Sequence, residues 1–233
     1  MKKSIIMAVF FICVSSAVFA QGFYFDIGLG IGPVITEING QDVFNELKFA
    51  GASVDEKFGQ DFSIKIGYGP FNNIPLYILG ELGIMGQHKI DYFYDWNDQG
   101  SLYFQSGILG IGVIYYLTSL IQMGFSIGFS DVFNQAGTFA KERYDIEYNS
   151  KNGFAWNATI AFDLGQRKYK HGCLIGLKFS QASNTLEKSN LKQDNTSLVL
   201  FVKYAFRDKS SAVSLCFFSY LEILGHALLS LKK

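Results

Sequence analysis

Three histidines, three cysteines and a scatter of carboxylates are the groups with which this chain could do chemistry. Acid–base or nucleophilic catalysis requires such groups to converge. His88, His171 and His226 are far apart in sequence, and none stands two residues before a serine, the spacing that puts both on one strand face. The expectation is surface or turn histidines and no catalytic residue. Cys13, Cys173 and Cys216 are isolated and form neither a disulfide framework nor a metal-binding pattern. Metal and cofactor are therefore expected to be none. Gly28-Leu29-Gly30-Ile31-Gly32 and Gly110-Ile111-Gly112 invite a nucleotide reading. That reading needs a helix opening at the glycines, and here they lie inside strand-like alternation, where packing or bending explains them.

The more informative charges are single ones set among apolar residues: Asp26, Asp61, Lys65, Glu81, Asp163, Lys178 and Lys203. Each falls on the polar parity of a period-two segment. The first segment begins at Gly22, with Phe23, Phe25, Ile27, Leu29 and Ile31 alternating against Tyr24, Asp26, Gly28 and Gly30. Further segments span 61–68, 76–85, 103–117, 121–130, 154–164, 173–180 and 197–206. Successive side chains of a strand point to opposite faces. Eight segments of about ten residues match the length a tilted strand needs to cross a bilayer.

A soluble sandwich has the same parity, but three features argue for a barrel in lipid. The apolar face is rich in Phe, Leu and Ile on every segment, with aromatics near the ends. The opposite face is mostly Gly and Ser with isolated charges, which suits a crowded small-barrel interior. The links alternate in length: 71–75, 118–120 and 165–171 are short, whereas 32–60, 86–102, 131–153 and 181–196 are long. Closing the barrel with Gly22 and Phe206 at one end sets Asp26 nearly opposite Lys203. Folding about Asn72-Asn73 brings Lys65 toward Glu81. Both are expected as lumen ion pairs, since an unpaired buried charge is costly. The inward apolar residues Ile108, Ile114, Val199 and Phe201 weigh mildly toward an open, apolar lumen.

Residues 1–20 read as a signal peptide: Lys2 and Lys3, an apolar run over 5–14, and Val18-Phe19-Ala20 before the cleavage point. A formal net charge of zero excludes a strongly basic nucleic-acid binder. Charged residues are only 17% of the chain, below the usual soluble fraction of about 25%.

The chain from 21 to 206 resembles the small outer-membrane barrels of the OmpA, OmpX and OmpW type. The resemblance rests on the leader, the eight segments, the alternating links and the ending Val202-Lys203-Tyr204-Ala205-Phe206. It implies an all-β, antiparallel up-and-down transmembrane barrel in the cell outer membrane, surrounded by outer-membrane lipid. It also implies a terminal strand read by the barrel assembly machinery. Residues 207–233 form an apolar extension that such barrels lack, expected to be a helix at the periplasmic end, with an extra strand or a non-native addition as the alternatives.

The long links carry the remaining signal. Tyr92, Phe93, Tyr94 and Trp96, among Asp91, Asp95 and Asp98, read either as a contact patch or as a membrane-boundary belt. Two functions follow: a surface-exposed structural or interaction protein whose loops meet host or extracellular macromolecules, or a narrow conduit for small, apolar solutes.

Overall fold

The computed structural model describes residues 22–56, 58–70, 74–95, 98–136 and 150–208. The expected signal peptide, the apolar extension beyond Asp208 and most of the third long link lie outside these residues.

The period-two pattern folds into antiparallel strands: β1 (Phe23–Gly32), β2 (Val34–Ile38), β3 (Gln41–Asp42), β4 (Ser53–Glu56), β5 (Gly59–Tyr68), β6 (Leu76–Asp95), β7 (Asp98–Tyr116), β8 (Ile121–Val132), β9 (Gln135–Ala136), β10 (Ser150–Asp163), β11 (His171–Leu186) and β12 (Lys192–Asp208). A short helix, α1 (Val43–Phe49), sits between β3 and β4. Eight strands close the ring in the order β1-β5-β6-β7-β8-β10-β11-β12, and β12 pairs back onto β1. No edge is left in this ring, so its backbone groups are satisfied within the wall.

Outward positions are apolar and exposed on every ring strand, among them Leu29, Leu82, Leu109, Phe129, Ile160, Leu177 and Leu200. Aromatic side chains mark both borders. Phe129 stands opposite Phe154 at one. Phe23, Phe206, Tyr204 and His171 meet at the other, with the Phe23 and Phe206 rings 6.3 Å apart and the His171 and Phe206 rings 5.5 Å apart. An apolar band between aromatic girdles is the surface of a strand barrel in lipid.

Above the band the strands do not stop. β6 runs for 20 residues and β7 for 19, about twice the bilayer requirement. The link expected over 86–102 is therefore mostly a hairpin. Outward positions there turn polar, at Gln87, Lys89 and Asp91, while inward ones stay apolar, at Ile90 and Tyr92. The inversion is hidden in sequence by a bulge. The β6–β7 register shifts between Met85 and His88, and Gly86 takes φ +62°, which glycine adopts without strain. Inward parity switches there from odd to even.

The first long link is also structured. β2 continues the line of β1 along β12, and β4 continues that of β5 along β6. Above this split α1 fills the space. Asp42 caps it, accepting from the Phe44 backbone N–H at 2.9 Å. So short a helix is held by packing rather than by its own propensity. Leu47 supplies that packing against Ala52, Ile90, Tyr92, Leu102 and Phe104.

Candidate functional site: the lumen and its cap

The lumen is layered. At the short-turn end Tyr24, Tyr77 and Tyr116 pack with Leu79, Ile114, Leu174 and Phe201. The Arg207 guanidinium enters this layer and donates to Tyr116 Oη and to Asp163. Tyr116 Oη in turn donates to Asp163 Oδ2 at 2.9 Å. β12 thus runs two residues past Phe206, and Arg207, read from the sequence as the start of the extension, is a buried wall residue.

The middle layer holds three lysines and three carboxylates, all buried. Lys65 Nζ lies 3.0 Å from Glu81 Oε2. Lys178 Nζ lies 3.0 Å from Asp61 Oδ2. Lys203 Nζ lies 3.6 Å from Asp26 Oδ1. The layer is electrically neutral, and neutral side chains complete it. Asn157 Nδ2 donates to both Glu81 oxygens at 3.1 and 3.2 Å, Lys65 Nζ to Ser126 Oγ at 3.3 Å, and Tyr24 Oη to Asp26 Oδ2 at 2.9 Å. Such a cluster is tolerated only when charges and hydrogen bonds are matched together.

Close approach of neighbouring wall strands comes from glycine. Gly110 on β7 stands opposite Glu81 on β6 and Gly128 on β8. A Cβ on Gly110 would fall 2.2 Å from the Ile127 carbonyl oxygen. Gly28 on β1 leaves room for Lys203, whose Cγ would lie 2.1 Å from a Cβ there, and Ser126 on β8 receives Lys65.

Lys65 and Glu81 are direct cross-strand partners. Asp26 and Lys203 are not, which corrects the register expected for the barrel closure. Asp26 faces Ala205 on one side and Lys65 on the other, and Lys203 faces Gly28. The lysine reaches Asp26 diagonally. The two-residue offset arises because Phe23 pairs with Asp208 rather than with Phe206. The stagger of a closing barrel is set by its shear, which alternation does not encode.

Above the ion layer Met85 and Ile108 reach across to Ala155 and Ala182. Ile108, Ile114, Val199 and Phe201 are all buried in packed layers. His88 lies higher still, and its placement is a correction: it is buried, not at a surface turn. The bulge at Gly86 is the reason. Asp61, pairing with Lys178, and Arg207, pairing with Asp163, were the partners missed from sequence. The inward parity of 203, 205 and 207 was the available signal.

The aromatic run over 92–96 does not act as one patch. Tyr92 points inward and is buried under α1, so it does not belong to a contact face; strand alternation is the reason. Phe93 faces out and is 38% exposed, near the outer face that also bears Tyr103 at 40%. Tyr94 lies in β6, and Trp96 lies outside the described residues. Beside them Lys89 pairs with Asp91 at 2.6 Å, and Ser101 Oγ donates to Asp91 Oδ1 at 2.5 Å. Among the described residues no group of three or more His, Cys, Asp or Glu is arranged to hold a metal ion.

A neutral, filled interior inside an apolar-banded ring decides the architecture. This is a transmembrane up-and-down β-barrel of eight strands.

No protein-family model and no curated protein matches the chain. Solved structures similar to it are small outer-membrane proteins. Ail, the attachment invasion locus protein of Yersinia pestis, solved with the heparin analogue sucrose octasulfate, aligns with a TM-score of 0.47 and 14% identity, covering 79% of this chain and 99% of that one. The outer membrane protein OprG from Pseudomonas aeruginosa aligns with a TM-score of 0.43 and 10% identity, covering 81% and 97%. Neisserial surface protein A aligns with a TM-score of 0.35 and 11% identity, covering 79% and 96%.

Proposed function

We propose that the chain is a non-catalytic, integral outer-membrane barrel that acts as a surface-exposed structural or interaction protein. Its lumen is a support and its extracellular hairpins are the working part. The observation that carries this reading is the filled interior. Side chains occupy every layer from the Arg207–Asp163 pair up to Leu47 of α1, and an eight-stranded interior is only about wide enough for side chains. The rival reading, a narrow conduit for small solutes, requires a path that these layers occupy. Partners on this account are outer-membrane lipid at the apolar band, the barrel assembly machinery at β12, and host or extracellular macromolecules at the β6–β7 and β11–β12 hairpins. Strand extensions well beyond the band support the last of these.

Orientation is testable by labelling. With Cys173 and Cys216 replaced by serine, a cysteine at Glu187, on the β11–β12 turn, is expected to react with a membrane-impermeant maleimide on intact cells. A cysteine at Lys168, on the opposite short turn, is expected to react only after lysis. Labelling at 168 but not at 187 on intact cells would reverse the assignment.

A further inference from the structure

We infer that the short-turn border of the barrel carries a site for the phosphate headgroup of an anionic phospholipid, built on the β10–β11 turn and the aromatic shelf beside it. The site requires only that the barrel spans lipid. It stands whether the hairpins or the lumen are the working part.

Charge at this border is concentrated in one place. The other two short turns, over 69–75 and 117–120, contain no charged residue, whereas the turn over 164–170 contains Arg167, Lys168 and Lys170. Of the nearby carboxylates, Asp163 is buried with Arg207. Asp208 is met by Lys170 Nζ at 3.5 Å, a pair that leaves the lysine side chain 53% exposed. Arg167 and Lys168 pair with no carboxylate among the described residues. The opposite border differs: there the outward Lys89 is matched by Asp91 at 2.6 Å.

The basic turn is tied to its surroundings. The Gln166 backbone N–H donates to the Asp163 carbonyl oxygen at 3.0 Å, and the Arg167 N–H to the Ser119 carbonyl oxygen of the neighbouring turn at 2.8 Å. From β12 the Arg207 N–H donates to the Lys170 carbonyl oxygen at 2.7 Å. The lysine stems are therefore anchored at a set height on the wall, which lowers the cost of ordering them around a ligand.

Both ammoniums lie against aromatic rings at the edge of the apolar band. Lys170 Nζ is 5.0 Å from the centre of the Phe206 ring, and Lys168 Nζ is 5.0 Å from that of Tyr169. Phe206 and Tyr204 face outward from β12, and His171 joins them from β11, its Nδ1 2.6 Å from Tyr204 Oη. One row further along the same wall, Ile175 and Val202 are paired, apolar and exposed. Aromatic residues at a band edge mark the headgroup level. A phospholipid against this wall lays its acyl chains along the band and brings its phosphate to the height of the ammoniums. Continuity with the lipid-covered band and the excess of cations together select the occupant. A lysine ammonium makes charge-assisted hydrogen bonds to phosphate, and an anionic lipid brings no cation of its own to compete.

The test uses the full chain refolded in mixed vesicles. Cys13 and Cys216 are replaced by serine, so that Cys173, exposed on β11 and paired with Tyr204, carries a fluorophore. Brominated phosphatidylglycerol or brominated phosphatidylcholine, each titrated against the unbrominated other, quenches the label and reports the local headgroup preference. Two surface lysines correspond to a preference of about thirtyfold for the anionic lipid at low salt. Lys168→Gln with Lys170→Gln should reduce it to below about threefold, as should about 1 M NaCl on the parent. Lys151→Gln with Lys188→Gln removes the same charge at the far end and should keep the parent preference. Equal quenching by both lipids in the parent, or a preference that survives in the turn variant, would overturn the site. So would an equal loss in the far-end variant. Displacement by inorganic phosphate at constant ionic strength would show a simple anion site and likewise overturn the lipid assignment. If the turn variant does not refold, the salt response of the parent decides.

Discussion

Replacing Glu81 by leucine should destabilise the refolded barrel by about 3–5 kcal/mol, the usual cost of stranding a buried charge. Glu81 is met by Lys65 Nζ at 3.0 Å and by Asn157 Nδ2 at both oxygens. Without it three lysines share a closed layer with two carboxylates. Ser126 Oγ, at 3.3 Å from Lys65 Nζ, accepts a hydrogen bond but carries no balancing charge. The expected compensation is specific. Adding Lys65→Met to Glu81→Leu restores neutrality with apolar groups of similar volume, and more than half of the lost stability should return. Equilibrium urea unfolding in lipid, followed by the fluorescence of Trp96 and Trp156, measures the parent and both variants. A double variant as unstable as the single one would show that charge balance is not what the layer provides.

Removal of Arg207 should have an effect of the same order. Its guanidinium contacts Asp163 and Tyr116 together and is buried with them. Arg207→Met leaves the Asp163 carboxylate in a tyrosine-lined layer with the Tyr116 hydroxyl and backbone N–H groups as donors. A loss of about 3–5 kcal/mol follows, and Arg207→Lys should recover only part of it, because an ammonium cannot reproduce the planar fork. Asp163→Asn in the Arg207→Met background should improve on Arg207→Met alone. A change within about 0.5 kcal/mol, as for an ordinary surface residue, would mean that Arg207 is solvated and that β12 ends functionally at Phe206. The same unfolding measurement decides it.

These two sites differ in how legible they were. Lys65 and Glu81 belong to one hairpin, whose short connection limits the register, so alternation sufficed to bring them together. Asp26 and Lys203 belong to the first and last ring strands, whose stagger depends on the shear of the whole barrel. There parity gave the correct face and missed the register by two. Arg207 was missed because the aromatic ending at Phe206 suggested a terminus, although its parity continued that of Lys203 and Ala205. The apolar band could be read directly, because lipid demands the same side-chain character on every strand. The half above the band could not. Above the band the apolar face turns inward, and the bulge at Gly86 shifts the phase, so His88 and Tyr92 looked like loop residues. Helix α1 carries one strongly buried apolar residue, Leu47, too few to announce an amphipathic helix.

The glycines divide the same way. Gly28, Gly30 and Gly110 suggested a packing role by parity alone. What they pack against emerged only with the ring closed: Gly28 receives the Lys203 side chain from β12, Gly30 meets Val199, and Gly110 lies against the backbone of β8.

The central claim, that the lumen is filled and the hairpins are the working part, is tested most directly by planar-bilayer conductance of the refolded full chain at neutral pH. The account predicts a silent bilayer, with no steady ion-conducting steps, while the same preparation shows folded-barrel unfolding behaviour in urea. Sustained, reproducible openings from the unaltered protein would contradict it and establish the lumen as a path.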